Sequence, residues 1–129
     1  MVDNIVNVDI EPNRIYSFKE VAEFLDNGRA ELKYILSKRL IKPVEDNKGI
    51  LGSEIKRYRK RPTEIGWYDY DTLASLIPGL TREDMENWVI KMNEKYIYAG
   101  SIRDHGDGKG IKLRQAAALR FYTDMTMPR

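Results

Sequence analysis

Arg29 and Lys33, two basic residues one helical turn apart, are the side chains in this sequence best suited to a definite chemistry. An arginine can meet a guanine edge or a phosphate with paired hydrogen bonds, and a neighbouring lysine adds charge. The stretch that carries them, RAELKYILSKRL, turns Leu32, Ile35 and Leu36 to one side and leaves Arg29, Lys33 and Lys38 for the other. Tyr34 has two readings, a phosphate hydrogen bond or packing against a neighbouring hairpin. More cations follow at Arg39, Lys42 and Lys48, then in the run Lys56, Arg57, Arg59, Lys60 and Arg61. Between residues 29 and 61 eleven Lys/Arg stand against four acids, a balance of +7 in a chain whose formal net charge is +2. That concentration suits a phosphate backbone, each neutralised phosphate steepening the salt dependence of binding. The run KRYRKR also reads as a solvated helix end, where cations favour the C-terminal dipole.

Other chemistries find less support. With no cysteine there is no disulfide framework, cysteine nucleophile or thiolate metal site, and a single histidine, His105, cannot build a histidine-rich one. The glycine-rich stretch DHGDGKG lacks the GxxxxGK[ST] spacing of a phosphate loop. It reads instead as a mobile hairpin tip, where Arg103, Lys109 and Lys112 can touch a phosphate backbone. Asp69 with Asp71 and Glu83 with Asp84 could hold Mg²⁺ or serve acid/base chemistry in a nuclease. Both pairs fall at predicted helix starts, where acids cap the backbone and favour the dipole. Neither enzymatic activity nor a cofactor is expected.

The elements that must position these residues are written twice. YSFKEVAEFL (Tyr16 to Leu25) and YDYDTLASLI (Tyr68 to Ile77) share one pattern, and each precedes a helical stretch and a turn-rich segment ending in Gly-Ile. Ser17 caps a helix over 18–25, with Glu20 as its capping-box partner and Phe18, Val21, Ala22 and Leu25 on one face. After the turn Asp26-Asn27-Gly28 a second helix spans 29–39. Residues 40–51 read as two short strands around EDNKG, and Ser53 caps a third helix that Pro62 stops. Residues 62–66 form a linker. Asp69 then caps the next helix, Pro78-Gly79 turns the chain, and Thr81 with Asp84 opens a helix striped by Met85, Trp88, Val89 and Met92. A second hairpin spans 96–113 and a helix 113–122, after which DMTMPR frays. The first 14 residues read as an edge strand or an arm, the arm being favoured at a terminus. The expected divisions are 1–14, 15–62 and 63–129.

The order helix, helix, glycine-tipped hairpin, helix is that of a small winged helix-turn-helix. YSFKEVAEFL, with KRLIKPV (Lys38 to Val44), resembles the winged-helix domain of MerR-type regulators, phage excisionases and some small terminase subunits, over about 45 residues. The resemblance implies an α+β, mostly helical fold of two tandem winged helix-turn-helix units packed together. It also implies that Arg29 to Lys38 lies in the major groove while the hairpin around Lys48 touches the backbone. Two departures are the short turn Asp26-Asn27-Gly28 and the lack of a long effector-binding or coiled-coil tail, so no small-molecule ligand is expected.

The second copy does not repeat the charge. From Thr81 to Lys95, Glu83, Asp84, Glu86 and Glu94 outnumber Arg82, Lys91 and Lys95, which makes this helix a poor groove reader. Aromatics concentrate here (Trp67, Tyr68, Tyr70, Trp88, Tyr96, Tyr98, Phe121 and Tyr122) as core and packing residues, any exposed one marking a protein interface. The expected function is duplex-DNA binding mainly by the first unit, as a transcriptional regulator or an architectural, excisionase-like factor of phage, plasmid or prokaryotic origin. The alternative is an adaptor or assembly subunit that binds protein, or a second copy of itself, through the aromatic half. Hydrophobic content of 42% with 33% charged residues is that of a globular protein, and no apolar run approaches the roughly 20 residues of a membrane span. The start of the sequence lacks the basic and apolar regions of a secretory signal, so a cytoplasmic location is expected.

Overall fold

The computed structural model describes residues 9–127. They divide into two compact units, the first made of residues 9–60 with Met127 and the second of Arg61–Thr126. Among the described residues there are six helices and two small antiparallel sheets, an α+β architecture, and no helix is long and apolar enough to cross a membrane.

The first unit runs β1 (Ile15–Tyr16), α1 (Phe18–Phe24), α2 (Gly28–Ser37), β2 (Ile50–Leu51) and α3 (Gly52–Arg59). The Ser17 hydroxyl accepts from the Glu20 amide, and the Glu20 carboxylate accepts from the Ser17 amide, so the capping box forms as expected. The Ser17 amide above all, then the Ser17 hydroxyl and Arg14, hold the exposed Glu20 carboxyl below its ordinary range. Val21, Ala22 and Leu25 of the first stripe are buried, as are Leu32 and Ile35 of α2, while Phe18 is half-buried.

Three expectations change in this unit. The segment 40–51 forms one strand rather than two. Its Val44 amide reaches the Gly49 carbonyl, but the strand paired with β2 is β1, in the register Ile15↔Leu51 and Tyr16↔Ile50. Pro43 has no amide to donate, and the Lys42 amide is taken by the Glu54 carboxylate, so residues 42–43 have no ladder donors to offer. Ser53 is not the cap of α3. The N-cap is Leu51, and the first amides, Gly52 and Ser53, donate to the carbonyls of Arg14 and Pro12 at 2.7 and 2.9 Å. The segment just before β1 therefore serves as the cap, and Ile10 within it is buried; residues 1–8 of the expected arm lie outside the described residues. Close approach explains two glycines. A Cβ at Gly52 would lie 1.8 Å from the Glu11 carbonyl oxygen, and one at Gly49 2.4 Å from that of Tyr16.

The second unit repeats the order as β3 (Trp67–Tyr68), α4 (Tyr70–Leu76), α5 (Arg82–Glu94), β4 (Ile102–Asp104), β5 (Ile111–Arg114) and α6 (Gln115–Thr126). Asp69 caps α4, and Thr81 with Asp84 forms the capping box of α5. The leading strand again pairs antiparallel with the strand that enters the last helix, Trp67↔Arg114 and Tyr68↔Leu113, and β4 completes a sheet ordered β3-β5-β4. The matched tyrosines do matched work. Tyr16 Oη accepts from the Glu11 amide and Tyr68 Oη donates to the Glu64 carbonyl, each fastening the chain just upstream. Burial pushes the Tyr68 phenol above its ordinary range. Register places Ile50 opposite Tyr16 but Leu113 opposite Tyr68, so the two Gly-Ile pairs are not equivalent positions.

Around Leu73, Ile77, Met85, Trp88, Val89, Met92, Leu113, Phe121 and Tyr122 the second unit builds one core. Trp88 packs edge-on against Phe121, and its indole N–H donates to Asp124. That bond lies in the DMT segment expected to fray, where α6 instead continues to Thr126; Pro128 and Arg129 lie outside the described residues. The 62–66 linker is tied into the second unit, its Pro62 carbonyl accepting from Gln115. The second hairpin starts later than its sequence suggests, because Lys95–Gly100 is a turn.

A further repeat lies in how α2 and α5 stop. The Leu40 amide reaches the Ile35 carbonyl and Arg39 that of Leu36; the Ile97 amide reaches Met92 and Tyr96 reaches Asn93. Both are Schellman motifs, and both put a non-glycine residue, Arg39 or Tyr96, in the left-handed region at φ 56° and 55°.

Candidate nucleic-acid interface

Helix α2 is amphipathic for a local reason. Leu32 and Ile35 are turned into the first unit, so residues on the opposite arc must meet water. That arc carries Arg29, Ala30, Lys33, Tyr34 and Ser37, all exposed. Tyr34 is 56% exposed, so its ring is presented to solvent and not packed inside. Lys38 and Arg39 are exposed at the end of the helix, Lys42 follows in the loop, and Lys48 stands exposed at the tip of the 44–49 turn. The positive α2 arc is thus continuous with exposed cations on the segment after it.

The run on α3 behaves differently. Arg57, assigned from sequence to a phosphate track, is turned inward. Its Nε and Nη2 donate to the two Glu54 oxygens at 2.6 and 2.9 Å, and Nη2 also donates to the Leu40 carbonyl at 2.8 Å. The side chains of Glu54 and Arg57 are 3% and 10% exposed. Glu54 accepts from the Lys42 amide as well, at 2.6 Å, so the pair ties the loop after α2 to α3. A buried carboxylate needs such compensation. Lys56 and Arg59 are half-buried and Lys60 is exposed, whereas Arg61 begins the second unit.

In the second unit Arg103 on β4 and Lys109 at the hairpin tip are exposed. Lys112 is mostly covered, with 15% of its side chain accessible, and donates to Asp107 at 2.5 Å. That bond, with the Lys109 amide, holds the Asp107 carboxyl below its ordinary range. His105 is engaged and not merely part of a tip, since its ring meets Trp67 edge-on at 4.5 Å. Arg114, which the sequence did not single out, lies 4.7 Å from the Trp67 ring centroid. Sheet alternation could have pointed to it, as the partner of Trp67 on the face away from Leu113.

Helix α5 shows the opposite character from α2. Away from Met85, Trp88, Val89 and Met92 it exposes the acids Glu83, Asp84, Glu86 and Glu94 against the cations Arg82 and Lys91, with Asn87 and Ile90 between them. The carboxylates of Asp69 and Asp84, considered for metal or acid/base chemistry, are engaged at helix starts, accepting from the Thr72 and Thr81 amides, and the Thr72 amide holds the Asp69 carboxyl below its ordinary range. Among the described residues no three His, Cys, Asp or Glu side chains are grouped to hold a metal ion. No protein-family model, curated protein or solved structure matches this chain.

Proposed function

We propose that this chain is a non-enzymatic duplex-DNA-binding protein built of two tandem winged-helix units, which reads DNA mainly through α2 of the first. What supports this is the outward arc of α2, where Arg29, Lys33 and Tyr34 are exposed opposite buried Leu32 and Ile35, with Lys42 and Lys48 on the following segment. Arg29 and Lys33 fit a base edge and a phosphate, and the flanking lysines hold the backbone. The order of strand, two helices, turn, strand and helix suits a second helix laid in the major groove and a turn against the phosphates. Binding to mixed-sequence duplex is therefore steeply salt-dependent. Reversing both charges, Arg29→Glu with Lys33→Glu, lowers affinity and reduces the log–log salt slope by about 0.9 for each phosphate no longer neutralised. Unaltered binding by this variant, or no binding by the wild type, refutes the assignment.

A second reading, an adaptor that docks protein through its second unit, is favoured by one observation. Ile90, Tyr96 and Ile97, on and just after α5, are 55%, 90% and 41% exposed. Exposed apolar side chains within an acidic helix face suit a protein partner better than a phosphate backbone. Ile90→Glu with Ile97→Asp abolishes such docking and leaves DNA affinity unchanged, which separates the two readings.

A further inference from the structure

We infer that the second unit has its own contact with the phosphate backbone of duplex DNA, made by the outer face of its three-stranded sheet and not by α5. Tyr68, Leu113, Ile102 and Ile111 turn toward the core from alternate positions of the three strands. The intervening positions, Trp67, Arg114, Lys112 and Arg103, therefore share the other face. Register sets Arg103 directly opposite Lys112, and Trp67 opposite Arg114. Like charges directly opposite one another destabilise a sheet unless an anion offsets them. Asp107 offsets Lys112, but among the described residues neither Arg103 nor Arg114 has an ion-pair partner. Arg114 is instead held over the Trp67 ring, which orders its guanidinium without neutralising it. Arg114, ordered, and Arg103, exposed, thus stand on this face without an internal anion, as contact with phosphates would require. Helix α5 exposes four acids, Glu83, Asp84, Glu86 and Glu94, against two cations, Arg82 and Lys91, and its net negative charge disfavours phosphates, so the two surfaces of the unit divide the roles.

This placement depends on the chain binding DNA as proposed above, and the two assignments are separated by comparing two variants of the full chain. Arg103→Gln with Arg114→Gln is expected to lower the salt slope by about 1.8, so the fall in affinity between about 50 and about 200 mM salt is about tenfold smaller than for wild type. Arg103→Gln alone, which disturbs no ring contact, gives about half of that slope change. Tryptophan emission should respond to DNA in the wild type and lose that response in Trp67→Phe, since Trp88 is buried. Unchanged affinity and slope in the double variant, with its emission still that of a folded chain, overturn the sheet contact while the α2 reading stands. If Arg29→Glu/Lys33→Glu has no effect and the sheet variant weakens binding, the α2 reading fails and the sheet contact stands. Polyglutamate displacing DNA as effectively as an equal charge of duplex would identify an acidic protein as the occupant and overturn the assignment, as would the absence of any DNA binding.

Discussion

Removing the Glu54 carboxylate tests whether the basic unit depends on an internal acid. Glu54→Ala takes the paired carboxylate away from the Arg57 guanidinium, 10% exposed, and deprives the Lys42 amide of its acceptor. Breaking a buried ion pair from one side costs about 3–5 kcal/mol. The lower part of that range applies here, because Lys42 is exposed and its amide can turn to water. A unit of about 50 residues has roughly 3–7 kcal/mol of stability in all. The substitution therefore removes most of it, and residues 28–60 should lose hydrogen-exchange protection together while α5 and α6 keep theirs. Replacing both partners by methionine should cost less than the sum of the two single changes, since no uncompensated charge remains. Exchange measured by mass spectrometry on peptides from each unit separates these cases. A loss below about 1 kcal/mol in Glu54→Ala, with unchanged protection across residues 40–58, would refute the idea that the pair fastens the loop to α3.

Tyr96→Gly should stabilise the second unit by up to about 1 kcal/mol, because it relieves a left-handed residue whose exposed ring contributes no core packing; chemical denaturation followed by Trp88 emission measures it. Gly52→Ala should destabilise the first unit by about 3 kcal/mol or more, since its Cβ meets a backbone oxygen and not a movable side chain, and circular dichroism on heating would register the loss. Glu20 and Asp69 have folded-state carboxyls shifted downward, so each contributes stability that is present above its unfolded value and is lost as pH falls through the folded one. Denaturation midpoints should accordingly drop below about pH 4, and Glu20→Gln or Asp69→Asn should flatten the drop in its own unit.

The local devices were legible because each is written within a few residues. Ser17 with Glu20, Asp69, and Thr81 with Asp84 cap where their spacing says, and the stripes Leu32/Ile35 and Met85/Trp88/Val89/Met92 face inward. Arg29 and Lys33 emerge outward for the same reason, as the complement of an apolar period. What escaped depends on contacts distant in the chain. The pairing of β1 with β2 joins Tyr16 to Ile50 across two helices and a turn, which no local pattern encodes. Ser53 looks like a cap until the carbonyls of Pro12 and Arg14 occupy its place. Arg57 is indistinguishable in composition from its neighbours in KRYRKR, and its burial follows from Glu54 one turn earlier meeting the loop after α2. The left-handed ends at Arg39 and Tyr96 carry no glycine to announce them.

The strand pairing that closes each unit also bears on the order in which the protein assembles. Tyr16 meets Ile50 and Tyr68 meets Leu113, so neither unit can complete its sheet until nearly all of its own sequence exists. Helices α1 and α2 are local and can form early, but the loop between the paired strands must close before that sheet adds its stabilisation. During synthesis the first unit reaches this point once Leu51 has cleared the ribosome, well before Arg114 is made. The basic half of the chain is thus able to fold while the acidic helix and the second sheet are still emerging.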